Sequence, residues 1–239
     1  LGDWRPPNLL RYDLNTGIEH NLGATLPPTD RARLAAVLGI RAGGGVPPNA
    51  RNPAGAAILA GPMLDRARGC AFFYFNGTTG EFLGSTEMPR YANIRRFVEV
   101  YGDLYAAVQL TNGAGAVVRW VNDPTHPAFP FRLIEVGALD QGGADIALHE
   151  GRLFVTTWPG LLEEAQRPGS SVTLEEVYRK AVGLWMGPVV PASGLKARHR
   201  DQWVKVWNVT QYEPDTIASV TYAGGALCSF DGWLYFGTM

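Results

Sequence analysis

Apolar and polar positions between residues 93 and 136 alternate with a period of two, or run apolar in short blocks, which is the pattern of strands rather than helices. Four strands follow in order: Asn93–Val100, Leu104–Leu110, Ala116–Val121 and Phe131–Val136, here termed a, b, c and d. β-Branched and aromatic residues fill them, and Gly, Asn, Asp and Pro break the chain between them. The order recurs downstream, with Asp145–His149 expected as a, Arg152–Trp158 as b, Gln202–Trp207 as c and Ile217–Tyr222 as d. Upstream, Leu9–His20 and Phe72–Leu83 each have the shape of a c–d hairpin, and Ala56–Ala60 suits a b strand ahead of the second.

Turn chemistry supports the pairing. Three expected a–b hairpins carry a glycine beside an acid, at Gly102-Asp103, Glu150-Gly151 and Asp231-Gly232, followed by Leu and an aromatic. Such pairs form two-residue turns because glycine tolerates positive φ. The c–d hairpins instead carry Asp13 or Asn76 followed by Thr16-Gly17 or Thr79-Gly80, which predicts a type I turn closed by a left-handed glycine. Between strands, Thr29–Gly39 predicts a short helix and Arg41–Gly55 a loop, with Gly43–Gly45 flexible. Thr173 and Glu176 form a capping-box pattern that starts a helix running towards Val182.

Four-stranded antiparallel units recurring every ~45–60 residues are the signature of β-propeller blades. The Asp-x-x-Thr-Gly turn at Asp13–Gly17, with its variant at Asn76–Gly80, resembles the c–d turns of quinoprotein-like propeller repeats. The resemblance covers the blade framework only. It implies an all-β domain over residues 1–239, with a helical and loop segment near 29–55 and an inserted segment, 159–201, inside one blade. Two ring sizes stay open. The first c–d hairpin and the last a–b hairpin complete one blade of a four-bladed ring, or the chain is part of a larger propeller or assembly.

Charge and composition narrow the partners. The 21 basic residues nearly match the 22 acidic ones, which disfavours nucleic acid. No apolar run is long enough to span a bilayer. Arg-, Ala- and Gly-rich usage fits a bacterial source, and an extracytoplasmic location is the expectation for such a scaffold. Cys70 and Cys228 sit in apolar strand-like runs, as small buried hydrophobes do.

In up-and-down four-stranded units the a–b and c–d turns lie at one end, and the b–c and d–a connections at the other. The longest irregular segments, 24–55 and 159–201, were both expected at the second end, which becomes the candidate binding face. The residues expected there are Asp140 and Asp145 on the Gly-rich stretch 140–145, His199 with Arg198 and Arg200, and Trp158 and Trp185. The carboxylates suit acid–base work or a Ca²⁺ ion, the arginines an anion, and the tryptophans a sugar or protein contact. No histidine spacing suggests another metal site, and no cofactor is called for. Two functions are therefore carried forward: a non-catalytic module binding a protein or glycan, and a propeller-type enzyme (hydrolase, lyase or quinoprotein-like oxidoreductase) with its site near the axis.

Overall fold

The computed structural model describes residues 9–50, 52–123, 131–180 and 182–238. The fold is mostly β. Strands β1 (Leu10–Tyr12) and β2 (Glu19–Asn21) form a ribbon, followed by helices α1 (Leu22–Thr25) and α2 (Pro28–Ala35). The first four-stranded antiparallel sheet contains β3 (Ala42–Val46), β4 (Ala56–Pro62), β5 (Cys70–Asn76) and β6 (Phe82–Met88). The second contains β7 (Tyr91–Val100), β8 (Asp103–Leu110), β9 (Gly115–Asn122) and β10 (Phe131–Leu139). The third contains β11 (Gly142–His149), β12 (Arg152–Trp158), β13 (Gly183–Val189) and β14 (Val204–Asn208). Helices α3 (Gly160–Ala165) and α4 (Leu174–Arg179) interrupt the third sheet, and α5 (Thr216–Thr221) leads to a last ribbon, β15 (Gly224–Phe230) and β16 (Trp233–Thr238). Among the described residues no helix is long and apolar enough to cross a membrane.

The expected hairpins form for the expected reasons. Glu150 and Gly151 have φ of 47° and 72°, and Asp231 and Gly232 have 49° and 76°, positive at both positions as a tight antiparallel turn requires. The first turn is Tyr101-Gly102 (φ 52° and 78°), one residue before the expected pair, so Asp103 opens β8 and is buried against Arg119. In the other hairpin class the amides of Asn15 and Thr16 donate to Asp13 Oδ1, and those of Thr78 and Thr79 donate to Asn76 Oδ1. Gly17 and Gly80 then close both turns with φ of 70° and 72°.

Three expected elements fall elsewhere. Residues 42–46, read as loop, are strand β3. A Cβ on Gly44 would lie 2.5 Å from Phe97 Cβ, so the glycine is there to let β3 approach β7. In the third sheet the expected c strand, Gln202–Trp207, supplies the fourth strand β14, and Gly183–Val189 is the third. Ile217–Tyr222, expected as d, lies largely in α5, because Asp215 caps it by accepting from Ala218 N at 2.7 Å. The inserted segment 159–201 accordingly divides into a helical connection, a strand, and a loop that joins β13 to β14.

The sheets pack through their first strands: β3 lies against β7, β7 against β11, and β11 against β15. Between the first and second sheets Ile58, Phe72, Ile94 and Val108 are fully buried, and between the second and third Tyr105, Val117, Ile146 and Leu153 are. Each such large side chain contributes ~1.5–3 kcal/mol of burial. Trp203 closes the second interface, with its indole N–H donating to Val136 O at 2.9 Å. The aromatic ring of Tyr74 stacks on Trp120 and tilts against Phe131 in the first interface, and burial pushes the Tyr74 hydroxyl up to about 12.

Strand order fixes which end carries the loops. The β2–β3, β12–β13 and β14–β15 connections, which hold helices α1 to α5, lie at the b–c and d–a end of the strands.

Candidate functional site

At that end lies a cleft of about 740 Å³. Its walls are Leu38 and Arg41 ahead of β3, Pro62–Ala67 after β4, the start of β7, the end of β8, and Glu163 with Arg167 on and after α3. Four arginines, Arg41, Arg66, Arg95 and Arg167, face one carboxylate, Glu163.

Backbone irregularity aims the central arginine. β7 pairs with β8 through Tyr91 and Leu110, Asn93 and Gln109, Ile94 and Val108, then Arg96 and Ala107. The register therefore passes over Ala92 and Arg95, and both of these residues line the cleft. A bulge inserts a residue and re-aims its side chain. The consecutive arginines consequently diverge. Arg96 Nη1 pairs with Asp145 at 3.0 Å, while the Arg95 guanidinium carbon sits 3.8 Å from the centroid of the Trp158 ring. Trp158 is itself oriented, donating its indole N–H to Glu163 at 3.3 Å.

The electrostatics of the cleft are one-sided. Burial lowers the Arg95 pKa, the neighbouring Arg41 charge lowers it further, and Glu163 opposes both. Arg41 and Arg66 are exposed and their guanidinium groups make no hydrogen bond or ion pair with the described residues, whereas Arg167 pairs with Glu164. Gln109 is 6 % exposed, lines the cleft, and its side-chain amide has no hydrogen-bond partner among the described residues. Its position is fixed by contact: a Cβ on Gly142 would lie 2.9 Å from Gln109 Cβ, and one on Gly160 would lie 2.8 Å from Nε2.

Of the residues expected from sequence, Trp158 reaches this site through Arg95. Trp185 does not. It lies in β13, half-buried against the second interface, with Lys205 Nζ 5.4 Å from its ring centroid. Asp140, in the turn between β10 and β11, pairs with Lys205, and burial raises its pKa against the pull of that lysine. Asp145 is a paired residue of β11, not part of a loop. It accepts from Arg96 and from Leu227 N at 2.7 Å, tying β11 to β7 and β15. The two carboxylates thus take different cationic partners. Among the described residues no group of three or more His, Cys, Asp or Glu is arranged to hold a metal ion.

Arg198, His199 and Arg200 lie at the opposite end from the cleft. They occupy a 3₁₀ turn, Ala197–Gln202, between β13 and β14, because the third strand ends before them instead of beginning after them. His199 Nδ1 accepts from Lys196 N at 2.9 Å, and burial, Arg198 and Lys196 lower its pKa. Arg200 pairs with Asp201 and approaches Glu135. Both cysteines are free. Cys70 is buried, which pushes its thiol up to about 12 despite the Arg41 charge, whereas Cys228 is exposed.

Sequence reading missed Arg41, Arg66, Arg95 and Gln109. The available signal was Arg95-Arg96, two charges in succession inside a strand that otherwise alternates. An alternating strand buries one of such a pair unless a bulge intervenes.

No family model matches the chain, and no curated protein matches it. Among solved structures, a computationally designed protein, Ika4, is 11% identical with a TM-score of 0.40, over 83% of this chain and 84% of that one. A mutant of the Synechocystis apocarotenoid oxygenase is 11% identical with a TM-score of 0.35, over 79% of this chain and 43% of that one.

Proposed function

We propose that the chain is a non-catalytic binding module of the β-propeller type, its three sheets serving as blades, and that the arginine-lined cleft holds a carbohydrate. The cleft's size lies within the ~300–1,000 Å³ typical of small-molecule sites. Its lining combines the polar residues Asn93, Gln109 and Thr111 with exposed apolar Leu38 and Leu64, which suits a ligand bearing both hydroxyls and C–H groups. The observation that carries this reading is Gln109, a residue 6 % exposed, held against Gly142 and Gly160, whose side-chain amide has no hydrogen-bond partner among the described residues and opens onto the cleft. A hydroxyl both donates and accepts, and so can engage the amide's oxygen or its N–H groups in place of water.

A panel of immobilised neutral and acidic glycans tests it, with wild-type protein compared against an Arg41→Ala/Arg66→Ala double variant. Retention on a subset of glycans that the variant loses supports the reading. Retention of none, or equal retention of both proteins, contradicts it.

A second reading, a protein contact, is favoured by a different surface. Phe230, Trp233 and Tyr235 on the β15–β16 ribbon are 68%, 70% and 55% exposed. Aromatic residues in one exposed patch are characteristic of protein interfaces.

A further inference from the structure

We infer that the cleft selects anionic sugars, with Arg41 and Arg95 holding a carboxylate or phosphate and Gln109 reading a hydroxyl next to it. This deepens the carbohydrate reading and rests on it.

Three observations converge. First, Arg41 and Arg95 line the same cleft, and burial of Arg95, then the Arg41 charge, disfavours the charged form of Arg95. An anion bound between the two guanidinium groups relieves that repulsion, and the partly desolvated Arg95 gains the more from it.

Second, Arg95 is oriented before any ligand arrives. Its guanidinium carbon lies over the Trp158 ring, and Trp158 is held by Glu163. Face stacking leaves the in-plane N–H donors of a guanidinium available, and those donors match the two oxygens of a carboxylate or phosphate. Pre-orientation also reduces the side-chain entropy lost on binding.

Third, Gln109 provides a donor and an acceptor in a fixed position on the same wall, since Asn93 and Gln109 are paired across β7 and β8. A simple inorganic anion needs no such group. A hydroxyl-bearing anion does. Arg66, exposed at the cleft's edge without an ion-pair partner among the described residues, extends the positive surface for a second acid group of a longer ligand.

Calorimetric titration of the whole chain tests the inference with four probes: trigalacturonate, its neutral methyl ester, glucose 6-phosphate and inorganic phosphate. At least one of the two anionic sugars should bind roughly tenfold or more tighter than both the neutral ester and inorganic phosphate, and should weaken as salt rises. Whichever of the two binds tighter identifies the acid group. Arg41→Gln should weaken that sugar tenfold or more, and Gln109→Leu should weaken the sugar while leaving inorganic phosphate unchanged. Far-UV circular dichroism establishes that both variants are folded. Should the neutral ester bind as tightly, the charge selection is wrong while the carbohydrate reading stands. Should inorganic phosphate bind as tightly as either sugar, or Gln109→Leu change nothing, the site is a general anion site and the inference fails. Binding of none of the sugars removes the carbohydrate reading itself.

Discussion

The guanidinium carbon of Arg95 sits over the indole of Trp158, 3.8 Å from the ring centroid, although the two residues belong to different sheets. One residue comes from a bulge in β7 and the other ends β12, so the stack forms only when the second and third sheets are correctly packed. Trp158 is therefore a positioning residue for the cleft. A cation–π contact of this kind is worth ~0.5–1 kcal/mol at a partly exposed site. Trp158→Leu is expected to weaken anionic-sugar affinity about two- to fivefold. Trp158→Phe, which keeps a ring face, should restore most of the loss, as titration of the two variants would show.

Glu87 on β6 accepts from Arg68 at 2.8 and 2.6 Å and from Arg33 at 2.9 Å. The Arg68 hydrogen bond, helped by Arg33 and opposed by burial, holds its carboxyl at about 2, below the ordinary 4.5. A folded-state value below the unfolded one gives stability that is complete above pH ~4.5 and is lost as pH falls through about 2. Wild type should exceed Glu87→Gln by roughly 1 kcal/mol at neutral pH, the upper range for a partly exposed pair. Thermal melts at stepped pH should show that gap closing between pH ~4.5 and ~2.

Gly44 is a packing requirement, not a flexible joint. A methyl group there would meet Phe97 Cβ at 2.5 Å and Leu104 Cδ1 at 3.0 Å, both on neighbouring strands. Gly44→Ala is expected to destabilise the fold by ~1–3 kcal/mol in chemical denaturation, as overpacked interfaces do. Gly232→Ala should cost less through contact, having nothing within 4 Å, and act only through its φ of 76°.

The two thiols should be told apart by a thiol reagent. Cys228 is exposed on β15, and Cys70 is buried with a thiol pushed up to about 12. Native protein is expected to react at one thiol quickly, and at the second only after denaturant is added, as absorbance of the released chromophore would count.

The readable parts of the fold were those dictated locally. Asp13 and Asn76 build the same turn because each captures the next two amides with its own side chain. Glu150-Gly151 and Asp231-Gly232 were legible because two consecutive positive φ values demand such residues. What failed was set by distant neighbours. β3 is three glycines between Ala42 and Val46, and its strand character comes from β4 and from Phe97, not from its own side chains. Gly183–Val189 carries two glycines and a proline, so the stronger Val-Lys-Val-Trp run after it took its place in the expected order. Gly187 is small because Trp203 packs on it, a contact between residues in separate strands and loops. That one misplacement also put Arg198, His199 and Arg200 at the wrong end. The cleft was hidden for a related reason: a bulge is invisible to a period-of-two reading, and Arg95 sits on one.

Crystals of the 239-residue chain soaked with trigalacturonate would show directly whether the cleft holds an acidic sugar. Ligand density is expected in the cleft, with a carboxylate within hydrogen-bond distance of Arg95 and Arg41 and a hydroxyl on the Gln109 amide. An empty cleft, with the sugar instead on the Trp233 and Tyr235 ribbon or beside Arg198 and Arg200, would contradict it.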